Sequence, residues 1–233
     1  MGSASARFFD YLHGADFYRQ LHERAVTLLP PGRGERWVDL GCGPGLVTRL
    51  AAKHGYRALG IDRDPSMIAL AEIRRGSGHE SYLAGDMSRL EPSEAAVVSA
   101  ASLLILLPDR EEAVARMLSH VMENGRLLLV ETTGAMRPGR AWQWLRRCGF
   151  GGRNWLLLLW ALARMRAEAV KAKDFARHGE ILERHELLDG MVAAWLIRKR
   201  AISAEHSARQ AECGFEPVPG NRIAPVPMNH GCA

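Results

Sequence analysis

Apolar and polar positions follow two rhythms along this chain. Short apolar runs at 36–40, 57–62, 80–84, 95–100 and 126–131 predict strands. Between them, apolar residues recur at helical spacing over 44–54, 65–75 and 110–122. Strand and helix in alternation predict a parallel sheet covered on both faces. Residues 5–29 precede this core as one or two helices, whose stripe of Phe8, Phe9, Leu12, Phe17, Leu21, Ala25 and Leu28 stops at Pro30-Pro31-Gly32.

Beyond Thr133 the pattern changes to Gly134, Pro138 and Gly139, followed by stretches rich in Trp, Leu and Arg that read as helices at 139–147, 153–177 and 180–200. A late helix capped by Ser203 and Gly214 then leads to candidate strands at 216–218 and 223–228, where prolines 217, 219, 225 and 227 favour a sheet edge. The expected organisation is one domain over 1–233: leading lid helices to 33, a core over 34–133, a helical insertion over 134–200 and closing elements over 201–233.

The chemistry concentrates at strand ends. In Val38-Asp39-Leu40-Gly41-Cys42-Gly43-Pro44-Gly45 an apolar strand closes on an acid and a glycine-packed turn that opens a helix. Glycines at 41, 43 and 45 allow backbone angles closed to other residues and let a ligand approach the main chain. The dinucleotide fingerprint wants its third glycine at 46, where this chain has Leu46. The second strand ends in Asp62, placed for a ribose, and Asp64 caps the next helix with Pro65 in its first turn. The third leads to Asp86 and Met87, suited to an adenine amine and ring face.

These segments resemble the class I S-adenosylmethionine (SAM)-dependent methyltransferases: VDLGCGPG matches their first motif, GIDRDPSMI the second and AGDMSRL the third, over residues 36 to 133. The resemblance implies a Rossmann-like, doubly wound, mostly parallel seven-stranded α/β sheet with helices on both faces and a helical insertion after the fifth strand. It implies SAM as cofactor, with Asp39 and Gly41 at the methionine end, Asp62 on the ribose, and Asp86 with Met87 on the adenine. Tyr18 in the lid, Cys42, Gly43, Arg63, Met67 and Ser102 complete the expected contacts. Where related enzymes often carry a histidine after the fourth strand, this chain has Leu103-Leu104-Ile105, so no catalytic base is assigned. His13, Tyr11, His178 and His185 are the alternatives.

Net charge +5 is unevenly spread: residues 134–200 hold 14 Lys or Arg against 6 Asp or Glu. A basic segment can attract an anionic substrate, a membrane surface or nucleic acid. The Asn/Asp-Pro-Pro-Tyr run of base amino methylation and a Pro-Cys nucleophile are both missing after the fourth strand, which argues against a nucleic-acid acceptor. The run 155–163 is apolar all round but only nine residues long, against the roughly 20 that span a bilayer. It suits either a roof over an apolar acceptor, which ordinary core packing favours, or a seat in a membrane interface with Arg146, Arg147, Arg153, Arg164 and Arg166 at the headgroups.

Four cysteines without a CxxC pair, and no leading signal segment, fit a cytoplasmic protein without a metal site. The expected activity is methyl transfer to a small, partly apolar or aromatic acceptor in specialised metabolism, by a monomer or homodimer. A lipid or membrane-associated acceptor, or a non-catalytic SAM-binding scaffold, are the alternatives.

Overall fold

The computed structural model describes residues 11–76 and 78–200. Its chain runs α1 (Asp16–Val26), β1 (Arg36–Leu40), α2 (Leu46–Lys53), β2 (Arg57–Asp62), α3 (Pro65–Ile73), β3 (Glu80–Ala84), β4 (Ala95–Ala101), α4 (Arg110–Ser119) and β5 (Val121–Thr132). Then come α5 (Pro138–Cys148), α6 (Leu156–Arg164), β6 (Gly179–Leu187) and β7 (Val192–Lys199), with single 3₁₀ turns at Met87–Arg89, Leu104–Leu106 and Ala172–Asp174.

The strands form one seven-stranded sheet in the order β3-β2-β1-β4-β5-β7-β6. β1 to β5 pair in parallel, and β7 runs antiparallel to both of its neighbours. Side chains alternate across each strand, so the central ones feed two cores. On β5, Leu128 and Val130 join one core with Trp37, α1, α2 and α6, while Leu127 and Leu129 join the other with Val38, Leu40 and α4. Burying each such leucine contributes about 1.5–3 kcal/mol.

Two of the helices start where a side chain satisfies one of their first amides. Asp64 accepts the Ser66 N–H at 2.9 Å ahead of α3, with Pro65 in the first turn, and Asp109 accepts the Glu112 N–H at 2.9 Å ahead of α4.

The insertion differs from its sequence reading. Only Leu156–Arg164 of 153–177 is a long helix, and 180–200 is not helical at all. It forms the β6-β7 hairpin, which supplies the sixth and seventh strands of the sheet. Glu183, Arg184 and Glu186 are good helix formers, but they occupy an edge strand with an exposed outer face, while β7 is buried from Val192 to Ile197 against β5. Tertiary pairing therefore overrides helix propensity. The bend between them, Leu188-Asp189-Gly190, has positive φ at all three residues, and Asp-Gly is its local signature. The late helix and the candidate strands at 216–218 and 223–228 lie outside the described residues.

Candidate active site

In open α/β sheets, ligands bind beyond the carboxyl ends of the strands where the strand order reverses. Here that point lies between β1 and β4, and a cavity of about 820 Å³ opens there. Ten sequence-expected contacts, Asp39, Gly41, Cys42, Gly43, Asp62, Arg63, Met67, Asp86, Met87 and Ser102, line it together with Tyr18 from the lid.

The floor is a rigid polar cross-link. Asp39 is 1 % exposed and accepts hydrogen bonds from Ser99 Oγ at 2.7 Å and Thr48 Oγ1 at 2.8 Å. Ser99 Oγ in turn accepts the Trp37 indole N–H at 2.8 Å. Side chains from β1, β4 and α2 are thereby joined. Burial pushes the Asp39 carboxyl up to about 6, and the two hydroxyl donors oppose that rise.

Above the floor, the turn after β1 is fastened to β2. Gly41 and Cys42 donate their N–H groups to the Ile61 carbonyl at 2.8 and 3.0 Å, and Gly43 donates to Asp62 Oδ2 at 2.9 Å. Asp62 Oδ1 accepts the Asp64 N–H at 2.9 Å, so both carboxylate oxygens are oriented by main chain. The turn needs its glycines: Gly41 and Gly43 have φ of +68° and +52°. Asp86 accepts the Ser88 N–H at 2.9 Å, and that bond holds its carboxyl below the usual range.

The lid over the cavity is the leading helical segment. Tyr18 is buried between His13 and His22, with ring centroids 4.9 and 4.5 Å away, and all three line the cavity. Burial raises the Tyr18 hydroxyl well above its ordinary range, and the Ser102 hydroxyl opposes that rise. Burial also keeps both histidines neutral, His13 well below its usual value and His22 at about 4. His13 Nδ1 and both ring nitrogens of His22 are buried without a hydrogen-bond partner. Ser102 holds φ of +55°, a left-handed conformation uncommon outside glycine, while its N–H bonds the Val130 carbonyl at 2.8 Å.

The remaining wall is apolar, from Leu103, Leu106, Leu107 and Pro108. Glu131, fully buried at the end of β5, holds this wall: its Oε1 accepts the Leu104 N–H at 2.6 Å, while Oε2 has no partner. Burial pushes Glu131 up to about 7, against the opposing pull of the Leu104 amide and the Arg164 guanidinium.

His22 and Glu131 were not singled out by the sequence reading. The available signals were the i, i+4 spacing of His22 from Tyr18 and a lone carboxylate at the end of an apolar strand. Of the alternative bases, only His13 reaches the cavity. Tyr11 is 44 % exposed and packs on Trp155, while His178 faces Glu111 and His185 pairs with Glu183 at the surface. The expected roof is also placed differently: among the described residues nothing beyond Pro108 lines the cavity. Trp160 reaches it only through Tyr18, 5.4 Å away, and Trp155 lies on the outer face.

A glycine turn with left-handed backbone, acids at three successive strand ends and a lidded cavity of this size define a SAM-dependent methyltransferase. A family model described as a methyltransferase domain matches residues 11–187, and the chain belongs to that family. It is 29 % identical over 137 residues to malonyl-[acyl-carrier protein] O-methyltransferase of Serratia marcescens, covering 57 % of this chain and 53 % of that protein. It is 33 % identical over 125 residues to ubiquinone biosynthesis O-methyltransferase of Methylococcus capsulatus, covering 49 % and 52 %. The chain thus spans about half the length of the curated relatives it matches. The fold is similar to that of the N-methyltransferase NodS from Bradyrhizobium japonicum, solved with S-adenosyl-L-homocysteine, with a TM-score of 0.58, 20 % identity and coverage of 80 % and 89 %. SAM is the cofactor of this family. Among the described residues no helix is long and apolar enough to cross a membrane.

Proposed function

We propose that this chain transfers the methyl group of SAM to a small, partly apolar acceptor held between the Leu103–Pro108 wall and the His13-Tyr18-His22 lid. The observation that carries the reading is that one cavity is lined both by acids and glycines at strand ends and by an apolar wall under a lid that holds unpartnered ring nitrogens.

The acid-lined side suits SAM residue by residue. Gly43 leaves room for close approach, since a Cβ there would meet nothing nearer than His13 Cε1 at 3.8 Å, while Gly41 sits against Leu103 at the methionine end. Asp62, fixed by the Gly43 and Asp64 amides, has lone pairs remaining for the two ribose hydroxyls. Asp86 with Met87 suits the adenine edge and face, Met67 adds apolar contact, and Asp39 faces the methionine amino group from the floor. Arg63, Cys42, Tyr18 and Ser102 complete the proposed contacts.

Bound there, SAM supplies an electrophilic methyl on a sulfonium sulfur. The protein's part is alignment of the acceptor lone pair and exclusion of water. Neutral His13 and His22 can each take a hydrogen bond from an acceptor O–H or N–H, and Glu131 acts through the Leu103–Leu104 backbone as a positioning residue. An acceptor with a proton to lose passes it toward His13 or His22 as the new bond forms.

Two measurements test the reading. Calorimetry with SAM and S-adenosylhomocysteine should show one site per chain, and incubation of labelled SAM with a panel of phenols, carboxylic acids and amines should label at least one of them. Cofactor uptake with no labelled product across the panel would favour a scaffold instead, and no uptake would remove the assignment.

A further inference from the structure

Residues 137–166 hold seven arginines and not one Asp or Glu. The same stretch exposes Trp142, Phe150, Trp155, Leu159, Leu162 and Met165, half of the twelve large hydrophobic side chains exposed among the described residues. Neither feature is used by the cofactor cavity.

The two features share one element. α6 turns Leu156, Leu157, Trp160 and Ala161 into the core, where Trp160 packs 6.2 Å from Phe17 and 5.4 Å from Tyr18. Trp155, Leu159 and Leu162 follow one another at i, i+4 and i+7 along the outer face, and exposed Arg166 follows in the turn beyond the helix. A helix of nine residues is apolar on its inner face because the core takes it; its outer face meets solvent. Trp142 and Phe150 add an edge-to-face aromatic pair at 5.5 Å.

The charge around this stripe is largely uncompensated. Arg147 pairs with Asp189, whereas Arg146 and Arg166 have no hydrogen bond or ion pair among the described residues. Exposed tryptophan, phenylalanine and leucine flanked by unpaired guanidinium groups match the interface of an anionic bilayer: rings and leucines enter the acyl boundary while arginines reach phosphate headgroups. A folded acidic partner would need a pocket shaped to this stripe, but a fluid bilayer needs none.

We propose that the outer face of α5 and α6 seats this protein on an anionic lipid surface. Because the inner face of α6 packs on Tyr18, which lines the cavity, the seat adjoins the lid of the site. The proposal holds whichever acceptor the site takes, and its test does not depend on turnover.

The full chain is sedimented with vesicles of phosphatidylcholine mixed with phosphatidylglycerol, and with vesicles of phosphatidylcholine alone. Binding to the first, weak binding to the second, release by salt and a blue shift of tryptophan emission are expected. Leu159→Ser with Leu162→Ser, and separately Arg146→Glu with Arg166→Glu, should each lower partitioning by about tenfold or more. Calorimetric SAM binding and circular dichroism should stay unchanged in both. Equal or absent binding to the two vesicle types, or binding indifferent to both pairs of substitutions, overturns the proposal. So does a dimer that Leu159→Ser dissociates, which would give the stripe to a second copy, or capture by poly-L-glutamate without vesicle uptake, which would give it to an acidic protein.

Discussion

Asp62 Oδ2 accepts the backbone N–H of Gly43 at 2.9 Å, so the acid at the end of β2 and the glycine turn after β1 form one unit. The carboxylate that faces the cavity also fixes the loop beside it. Asp62→Ala removes the acceptor for both the Gly43 and Asp64 amides. SAM affinity should fall by about 10–100-fold, the loss expected of one or two charge-assisted hydrogen bonds, with Asp62→Asn in between. Calorimetry on both variants checks this, and an unchanged affinity would contradict the ribose assignment.

Gly41 tests the cradle from the backbone side. A Cβ there would stand 2.9 Å from Leu103 Cδ1 in a backbone with φ of +68°. Gly41→Ala should cost about 1–3 kcal/mol of stability and displace Leu103 into the cavity. Thermal unfolding with and without SAM should show a lower midpoint and a smaller ligand-induced shift.

Glu131 gives a pH signature. Its folded value of about 7 lies above the ordinary 4.5, so between these limits the folded state holds a proton that the unfolded state has released. Its contribution is fully present below about 4.5 and is lost as pH rises through about 7, by up to about 3 kcal/mol. Glu131→Gln should flatten that part of the stability profile, leaving the variant more stable than the parent above pH 7. Denaturant unfolding across pH 5–8 measures the difference, and parallel profiles would mean Glu131 is ionised throughout.

His22 acts with the opposite sign. Its folded value of about 4 lies below the ordinary 6.5, so the stability of its neutral form is present above 6.5 and is lost as pH falls toward 4. Both ring nitrogens are buried and unpartnered, so His22→Phe should raise stability at pH 7 by about 1 kcal/mol and soften acid unfolding. Methyl transfer should fall at least about tenfold with SAM affinity unchanged. A variant as active as the parent would remove His22 from acceptor handling.

Ser102 makes a strain prediction. Its φ of +55° suits glycine, so Ser102→Gly should leave the melting temperature unchanged or higher while removing the hydroxyl beside Tyr18. A kcat loss of about three- to tenfold with stability retained is expected, of the size of one neutral hydrogen bond. A destabilised variant would show that the hydroxyl matters to the fold instead.

The early strands are read well from the sequence because their signals are local. β1, β2 and β3 have the predicted boundaries, each apolar run being closed by a turn or cap residue such as Gly41 or Asp64. The β6-β7 hairpin reads as a helix because Glu183, Arg184, Glu186 and Leu187 suit a helix locally, and only pairing with β7, itself held against β5, makes them strand.

By itself, then, the sequence determined the strand-helix alternation, the glycine turn and the acids at the strand ends, since each depends on residues within one turn of one another. The tertiary structure decided how Tyr18 and His22 on α1 meet Ser102 around one cavity whose wall Glu131 holds from β5, and which face of α6 is left to solvent. Burial and neutral charge at those positions come from packing across the fold, where sequence spacing carries no distance information.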